Sequence, residues 1–246
     1  MVVPYCGSPP VPGELLERFN LDPVLLLALP LLALIHIWAS GAAREARFAA
    51  AGWSIAFVAF ISPLCALSVS LFSARIAQHM ILLLGAAPLI ALALPRAPTH
   101  RAAHWPLWAS AVAFMVALWY WHMPDPYDAT FSSTLVYWCM HITLFGSGIW
   151  LWRELLQHRT DRALEVLAVG ALTSMQMGFL GAILALAARP LFSWHFFTTS
   201  PWGLSPLQDQ QLGGTLMWVP GIALFLWVTI RCLERLWSAL EGVKPA

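Results

Sequence analysis

Side chains that could bind a metal ion occur within or next to the apolar parts of the sequence. They are His79, His122, His141, Asp209 and Met217. Neutral imidazole and thioether groups are good ligands for copper, particularly Cu(I), and imidazole alone also suits zinc or haem iron. A carboxylate can orient a metal-bound histidine. These residue types therefore predict a metal site, and the metal they favour most is copper as Cu(I).

The composition indicates a membrane protein. Of the 246 residues, 60% are hydrophobic and 10% are charged, against about 45–50% and about 25% in an average soluble protein. The chain has 14 Trp and 13 Phe, and Lys244 is its only lysine. These figures exclude a disordered chain and a nucleic-acid-binding protein. We expect the lipid bilayer as a partner and no nucleic acid.

Apolar segments long enough to cross the bilayer follow one another along the chain. A membrane-spanning helix needs about 20 residues, and the sequence predicts seven, at 22–39, 50–71, 76–95, 105–122, 134–152, 163–187 and 212–233. The predicted fold is an all-α integral membrane protein. It has one seven-helix domain at 22–235, an N-terminal tail at 1–21 and a C-terminal tail at 236–246.

The basic residues predict how the helices are oriented. Ten fall on one side of the predicted bundle: Arg44, Arg47, Arg96, Arg101, Arg153, Arg159, Arg162, Arg231, Arg235 and Lys244. Three fall on the other side: Arg18, Arg75 and Arg189. Since basic residues concentrate on the cytoplasmic side, we expect the N-terminus outside and the C-terminus in the cytoplasm.

The candidate metal ligands are predicted to share a depth near the outer surface. Arg75 and His79 are four residues apart, so they lie on one face of the third helix. His122 ends the fourth helix, and His141 lies about 10 Å below the outer surface on the fifth. The seventh helix begins between Asp209 and Met217. The sequence predicts that these groups lie at a similar depth in the membrane, but it leaves open whether they lie close together in the membrane plane.

Each candidate also has a structural interpretation. The histidines could hydrogen-bond to a neighbouring helix, Met217 could pack in the core, and Asp209 could cap the seventh helix. His36 lies at the inner end of the first helix, where a carbonyl could accept its hydrogen bond. Three other histidines are expected to be solvated in inner loops: His100, His104 and His158.

Catalytic motifs are not found in the sequence. It contains no HExxH motif and no glycine-rich phosphate loop, and it suggests no Ser-His-Asp arrangement. Asp125 and Asp128 are predicted as turn residues around Pro126. The four cysteines form no CxxC pair, and whether Cys6 and Cys65 are joined is left open. We therefore do not expect an enzyme.

Four blocks of sequence resemble a known family. They are Leu71 to Met80, Trp121 to Asp128, His141, and Trp202 to Trp218. In this order they are similar to signature motifs of the seven-helix CtaG family of cytochrome c oxidase assembly factors. The resemblance implies a multi-pass protein of the bacterial inner membrane that helps to form a copper centre of a haem–copper oxidase.

The resemblance also implies which residues and partners are involved. The polar residues of the family fall on His79, His122, His141 and Asp209 of this sequence. The implied partner is the large subunit of the oxidase, with periplasmic copper chaperones as further candidates. Many relatives have a histidine where this chain has Arg75. Arginine stays protonated and cannot be a ligand, so it could instead pair with Asp209 or another outer carboxylate, and the number of ligands stays open.

Several hypotheses about function remain at this point. The leading one is a non-enzymatic assembly factor that binds copper through His79 and His141, with His122 or Met217 as a third ligand and Asp209 orienting a ligand. The alternative from another class is a membrane haem protein or redox enzyme with two axial histidines. A metal transporter and a scaffold that binds no metal are the other two.

Overall fold

The computed structural model describes residues 3–95, 105–156 and 162–240, and its regular elements in these ranges are all helical. The α-helices are α1 (Pro23–Ala39), α2 (Ala43–Ile61), α3 (Pro63–Ser70), α4 (Phe72–Met80), α5 (Ala87–Ala93), α6 (Trp105–Trp121), α7 (Pro124–Ser132), α8 (Thr134–Leu156), α9 (Ala163–Ala185) and α10 (Pro206–Leu240). Short 3₁₀ helices occupy Pro12–Glu17, Ser193–Phe196 and Ser200–Trp202. The predicted all-α class is confirmed for these residues.

Three helical stretches within the described ranges are long and apolar enough to cross a membrane: Phe72–Ala93, Thr134–Leu156 and Ala163–Ala185. A fourth span is formed if α2 and α3, which are bent by 52°, count as one. The apolar helices α1 and α6 are shorter, with 17 residues each. Each predicted segment contains at least one helix, whereas the count of seven spans and the orientation stay predictions.

The segment predicted at 50–71 is wrong as a single straight helix. Ser62 has an extended backbone, and its side chain accepts a hydrogen bond from the amide of Leu64. Pro63 follows as the first residue of α3, and a proline disfavours helical backbone in the residue before it. The helix also begins earlier than predicted, at Ala43, so Arg44 and Arg47 lie on α2 and not in a loop.

The third predicted span is continuous but contains a π-helical turn. α4, the turn at Ile81–Ala86 and α5 together form Phe72–Ala93. The helix begins at Phe72 rather than at the predicted residue 76, so Arg75 lies inside it. The π turn follows directly after His79 and Met80. Such turns inside α-helices are frequent at functional sites.

Two other predictions are corrected at helix boundaries. Asp125 and Asp128 belong to α7 and not to a turn, because Pro124 begins this helix after the extended Met123. α10 runs from Pro206 to Leu240, so this helix is longer at both ends than the span predicted at 212–233. Two sets of predictions fall on residues outside the described ranges. They are the basic residues Arg96, Arg101, Arg159 and Lys244 of the orientation argument and the histidines expected to be solvated, His100, His104 and His158.

The last helix packs closely on two earlier ones. α10 contacts α9 along its length and also packs against α4. At Gly214 a Cβ atom would lie 2.4 Å from the backbone nitrogen of Ala185 on α9. At Gly213 a Cβ would lie 2.5 Å from the ring of Phe72 on α4. The Gly213-Gly214 pair therefore allows α10 to approach both neighbours at once.

The N-terminal tail is attached to the end of the bundle at which α3 ends and α10 begins. A disulfide joins Cys6 to Cys65 of α3, which resolves the pairing that the sequence left open. The carbonyl of Pro10 accepts hydrogen bonds from the Ser70 hydroxyl at 2.8 Å and from the Trp202 indole at 3.2 Å. The tail thus packs against both α3 and the segment before α10.

Candidate metal centre

The structure brings three histidines from different helices into contact. His79 lies on α4, His122 directly follows α6, and His141 lies on α8. The ring of His79 is 5.7 Å from that of His122 and 5.3 Å from that of His141, measured between ring centres. We call these three residues the histidine cluster. The sequence left open whether these histidines meet side by side, and the packing of their helices brings them together.

The hydrogen bonds of the histidine cluster leave nitrogen lone pairs free. Nδ1 of His122 lies 2.6 Å from the carbonyl of Leu118, and Nδ1 of His141 lies 3.1 Å from the carbonyl of Tyr137. A carbonyl can only accept, so each Nδ1 carries the proton and each neutral ring has an acceptor at Nε2. Among the described residues, neither Nε2 has a hydrogen-bond partner, and neither nitrogen of His79 has one.

The nitrogens without hydrogen-bond partners are unusual because they belong to buried side chains. The exposed fractions of His79, His122 and His141 are 2%, 4% and 2%. A buried polar atom without a partner costs about 1–3 kcal/mol, and such atoms are few in native proteins. Of the four unpartnered nitrogens, one nitrogen of the neutral His79 ring carries a proton, so the histidine cluster offers three lone pairs. A metal-bound histidine commonly donates its other nitrogen to a backbone carbonyl, as His122 and His141 do.

The spacing of the rings agrees with a shared ion. Two imidazoles that bind one metal at about 2.0–2.1 Å have their ring centres about 5–6 Å apart. A cavity of about 10 Å³ borders His79 and His141 but not His122, and its exposed lining is apolar. In the described part of the chain, no group of three or more His, Cys, Asp or Glu is placed as ligands of one ion. The rings would therefore have to rotate in order to coordinate one together.

Aromatic and apolar side chains enclose the histidine cluster. The ring of His141 lies 4.3 Å from that of Tyr137 and 5.0 Å from that of Phe60. The other residues that line the small cavity are Leu82, Leu83, Leu144 and Phe145. This surrounding excludes water and lowers the local dielectric, so charges near the cluster interact strongly.

Arg75 lies one helical turn before His79 and is 1% exposed. Its Nη1 donates to the Thr130 hydroxyl at 2.8 Å, and its Nε donates to the Ser68 carbonyl at 3.3 Å. The guanidinium carbon lies 4.2 Å from the ring centre of Phe131, and the rings of Tyr127 and Tyr137 lie farther out at 5.5 and 5.7 Å. Aromatic faces thus take the place of a counter-ion.

The predicted ion pair between Arg75 and Asp209 is wrong. Asp209 is fully buried, and its carboxylate accepts hydrogen bonds from the backbone amides of Phe72 at 2.6 Å and Ser73 at 3.1 Å, and from the Ser73 hydroxyl. These amides belong to the first turn of α4. Asp209 therefore caps the helix that carries His79, and not α10, which was the helix expected from the sequence.

Met217 is fully buried in the main hydrophobic core. It lies one turn after Gly213 on α10, so it is on the face that packs against α4. The side chains of Phe72 and Ile76 approach Gly213 most closely on that face. Of the five residues predicted for the site, the structure brings together the three histidines, places Asp209 at the start of α4 and places Met217 in the core.

Sequence reasoning missed one buried histidine. His195 lies in the 3₁₀ helix Ser193–Phe196, between α9 and α10. Its Nδ1 donates to the carbonyl of Ser70 at 3.2 Å, and its Nε2 accepts from the hydroxyl of Tyr127 at 2.8 Å. Burial, together with the smaller effect of the Arg75 charge, lowers the pKa of His195 to about 3. Both nitrogens have partners, so His195 is structural, and a loop position carries no periodic signal that could have revealed it.

Comparison with known proteins gives one match. The model of the cytochrome c oxidase caa3 assembly factor (CtaG) family matches residues 28–239. This range includes the histidine cluster, Arg75 and Asp209. No curated protein and no solved structure matches the chain.

Proposed function

The chain belongs to the family of cytochrome c oxidase caa3 assembly factors, and on this premise we propose that it binds Cu(I) at the histidine cluster and supplies it to the oxidase. In this proposal His79, His122 and His141 are the ligands, and copper is the cargo. The acceptor is the large subunit of a haem–copper oxidase, and a periplasmic copper chaperone is the donor. The protein itself catalyses no reaction.

The observation that carries the proposal is the set of unpartnered, buried imidazole nitrogens. Three neutral nitrogen donors without a carboxylate among them suit a soft ion of low charge, and imidazole is a good ligand for copper. Nδ1 of His122 and of His141 is held by a backbone carbonyl, so Nε2 is the donor atom in both. Asp209 positions the site by capping α4, which carries His79.

The disulfide supports the location that we propose, a multi-pass protein of the bacterial inner membrane with its N-terminus outside. Disulfides persist in oxidising compartments such as the periplasm. The sulfur atoms of Cys6 and Cys65 lie 3.4 and 3.7 Å from the hydroxyl of Tyr137, whose ring packs against His141. The histidine cluster therefore lies near the end of the bundle that carries the disulfide, where periplasmic copper would arrive.

The alternative of a haem protein is less well supported by the geometry. A pocket for an organic cofactor usually has a volume of about 300–1,000 Å³, whereas the cavity that borders His79 and His141 has about 10 Å³. The rings of these two histidines are 5.3 Å apart and in edge-to-face contact. A porphyrin between them would require the helices to separate.

The experiment that tests the proposal measures Cu(I) binding by the detergent-purified full-length protein under reducing conditions. Wild type is compared with the double variant His79→Ala/His141→Ala in competition with a colorimetric Cu(I) chelator. We expect about one Cu(I) per wild-type chain and a loss of binding in the variant. The absorption spectrum of the same samples tests for haem, because a haem protein shows a Soret band.

A matched control uses the other buried histidine. The variant His195→Gln loses a histidine whose two nitrogens are both hydrogen-bonded, so it should keep its copper even if its stability falls. Copper binding that survives in the double variant, or that is lost equally in all histidine variants, would contradict the proposed site. Oxidase copper content in cells that carry each variant then tests delivery.

A further inference from the structure

A fixed positive charge lies beside the histidine cluster. Arg75 is four residues before His79 on the same helix, so the two side chains are neighbours about 5–6 Å apart at Cβ. The guanidinium carbon of Arg75 also lies 5.7 Å from the ring centre of Tyr137, whose ring lies 4.3 Å from that of His141. Arg75 has no ion pair with a carboxylate in the described part of the chain. A cation that binds at the histidine cluster is therefore repelled by Arg75. No carboxylate among the described residues forms an ion pair that would offset this repulsion.

The charge of Arg75 can neither be lost nor be moved away easily. A guanidinium stays protonated in proteins. Hydrogen bonds to Ser68 and Thr130 hold the head group, and the ring of Phe131 lies 4.2 Å from it. The electrostatic cost to an ion at the cluster is thus a permanent property of the folded protein.

The repulsion depends on the charge of the bound ion. Coulomb energy is proportional to the product of the two charges, so a divalent ion meets twice the repulsion that a monovalent ion meets at the same place. For charges about 5–10 Å apart at an effective dielectric constant of about 20, Coulomb's law gives about 15-fold to about 300-fold in affinity for each unit of charge. The neutral imidazoles themselves contribute no compensating negative charge.

We propose that Arg75 is a specificity-determining residue that makes the histidine cluster select the monovalent ion Cu(I) over divalent ions such as Zn(II). The inference rests on the proposed function, since it concerns the ion that the cluster binds. Imidazole ligands alone would accept zinc as well as copper, so the selection comes from charge. The same repulsion weakens the hold on Cu(I) itself, which helps a protein that must pass the ion on.

The test compares two substitutions of Arg75 in the full-length protein in detergent. Arg75→Gln removes the charge, and Arg75→Lys keeps it with a different shape when the affinities are measured at a pH low enough to keep the buried ammonium protonated. Affinities for Cu(I) and Zn(II) are measured separately by competition with chelators of each ion. We expect Arg75→Gln to lower the preference for Cu(I) over Zn(II) by about 15-fold to about 300-fold, and Arg75→Lys to keep the wild-type preference.

A second pair of variants tests the charge without removing Arg75, in case Arg75→Gln does not fold. The Thr130 hydroxyl lies 2.8 Å from Nη1 of Arg75, so Thr130→Asp places a carboxylate against the guanidinium, and Thr130→Asn is the uncharged control of the same shape. We expect Thr130→Asp to shift the preference towards Zn(II), as Arg75→Gln does, and Thr130→Asn to leave it unchanged.

The outcomes separate this inference from the proposed function. If wild type binds Cu(I) through the histidines but the charge-removing and charge-neutralising variants keep its preference within about twofold, Arg75 does not set specificity and the copper site stands. If wild type and Arg75→Lys bind neither ion, the proposed function fails and this inference fails with it. Thermal unfolding of every variant reports any purely structural effect of Arg75.

Discussion

Asp209 of α10 accepts hydrogen bonds from both the backbone amide and the hydroxyl of Ser73 on α4, a residue 136 positions earlier in the chain. The helix that carries His79 is therefore capped by a side chain from the last helix. This contact couples the position of the histidine cluster to the docking of α10. Gly213, four residues after Asp209, keeps the two helices close enough for the contact, since a Cβ there would overlap Phe72.

Substitution of Asp209 should destabilise the protein and weaken copper binding. In Asp209→Ala the amides of Phe72 and Ser73 lose their acceptor while remaining buried, and we expect the free energy of unfolding to fall by about 1–3 kcal/mol. Thermal unfolding in detergent measures this loss. Thr215→Ala, an exposed position on the same helix, is the control. Equal melting temperatures for the two variants would contradict the capping role.

Acid should destabilise the protein partly through His195. Burial lowers its pKa in the folded state to about 3, from 6.5 for an unperturbed histidine. Below pH 6.5 the unfolded chain binds a proton at His195, whereas the folded protein does not bind one until the pH approaches 3. The contribution of His195 to stability is therefore fully present above pH 6.5 and is lost as the pH falls towards 3. The loss approaches about 1.4 kcal/mol per pH unit.

The variant His195→Gln isolates that contribution. Denaturant unfolding of wild type and variant is measured at a series of pH values between 7 and 4. Other histidines contribute equally to both proteins, so the difference between the two curves reports His195. We expect the wild type to lose more stability than the variant on acidification. Parallel curves would show that His195 is accessible to protons in the folded state.

The disulfide should stabilise the attachment of the N-terminal tail. Cys6 and Cys65 are separated by 59 residues, and closing a loop of this length removes unfolded-state entropy worth about 4 kcal/mol. We expect Cys6→Ser/Cys65→Ser to lower the melting temperature. Treatment of wild type with a reductant should give the same value, whereas reductant should not affect the variant. The exposed Cys139 allows a control substitution, Cys139→Ser, with little effect.

Packing of α10 against α9 should depend on Gly214. A Cβ at this position would lie 2.4 Å from the backbone nitrogen of Ala185, and backbone cannot move aside as a flexible side chain can. We expect Gly214→Ala to lower the free energy of unfolding by about 1–3 kcal/mol. Gly146→Ala is the control, because its Cβ would meet nothing within 4 Å, and alanine is the better helix former. A stable Gly214→Ala protein would contradict the close approach.

The helices were largely predictable because their signals are local. Runs of apolar residues predicted a helix in each of the seven segments, and α8 and α9 begin at the predicted residues. The errors occur where proline acts on the backbone around it. Pro63 bends the second segment by 52°, and Pro124 begins α7 where a turn was predicted. Proline marks a break in both cases, but neighbouring packing decides whether a helix, a turn or a bend follows.

The partners of the buried polar groups could not be predicted. Asp209 caps α4 instead of its own helix, and Arg75 is surrounded by aromatic rings instead of a carboxylate. His195 was not recognised as a buried residue at all. In each case the partner lies on an element that is distant in sequence, and helical periodicity contains no information about such contacts.

The sequence by itself determined the helical class and the family, and it predicted a common level along the helices for the candidate ligands. It could do so because composition and helical rise depend only on neighbouring residues: each residue adds about 1.5 Å along a helix. Only the tertiary structure decided that His79, His122 and His141 meet and that Cys6 pairs with Cys65. Lateral placement depends on how the surfaces of separate helices fit together, and that fit is a property of the whole bundle.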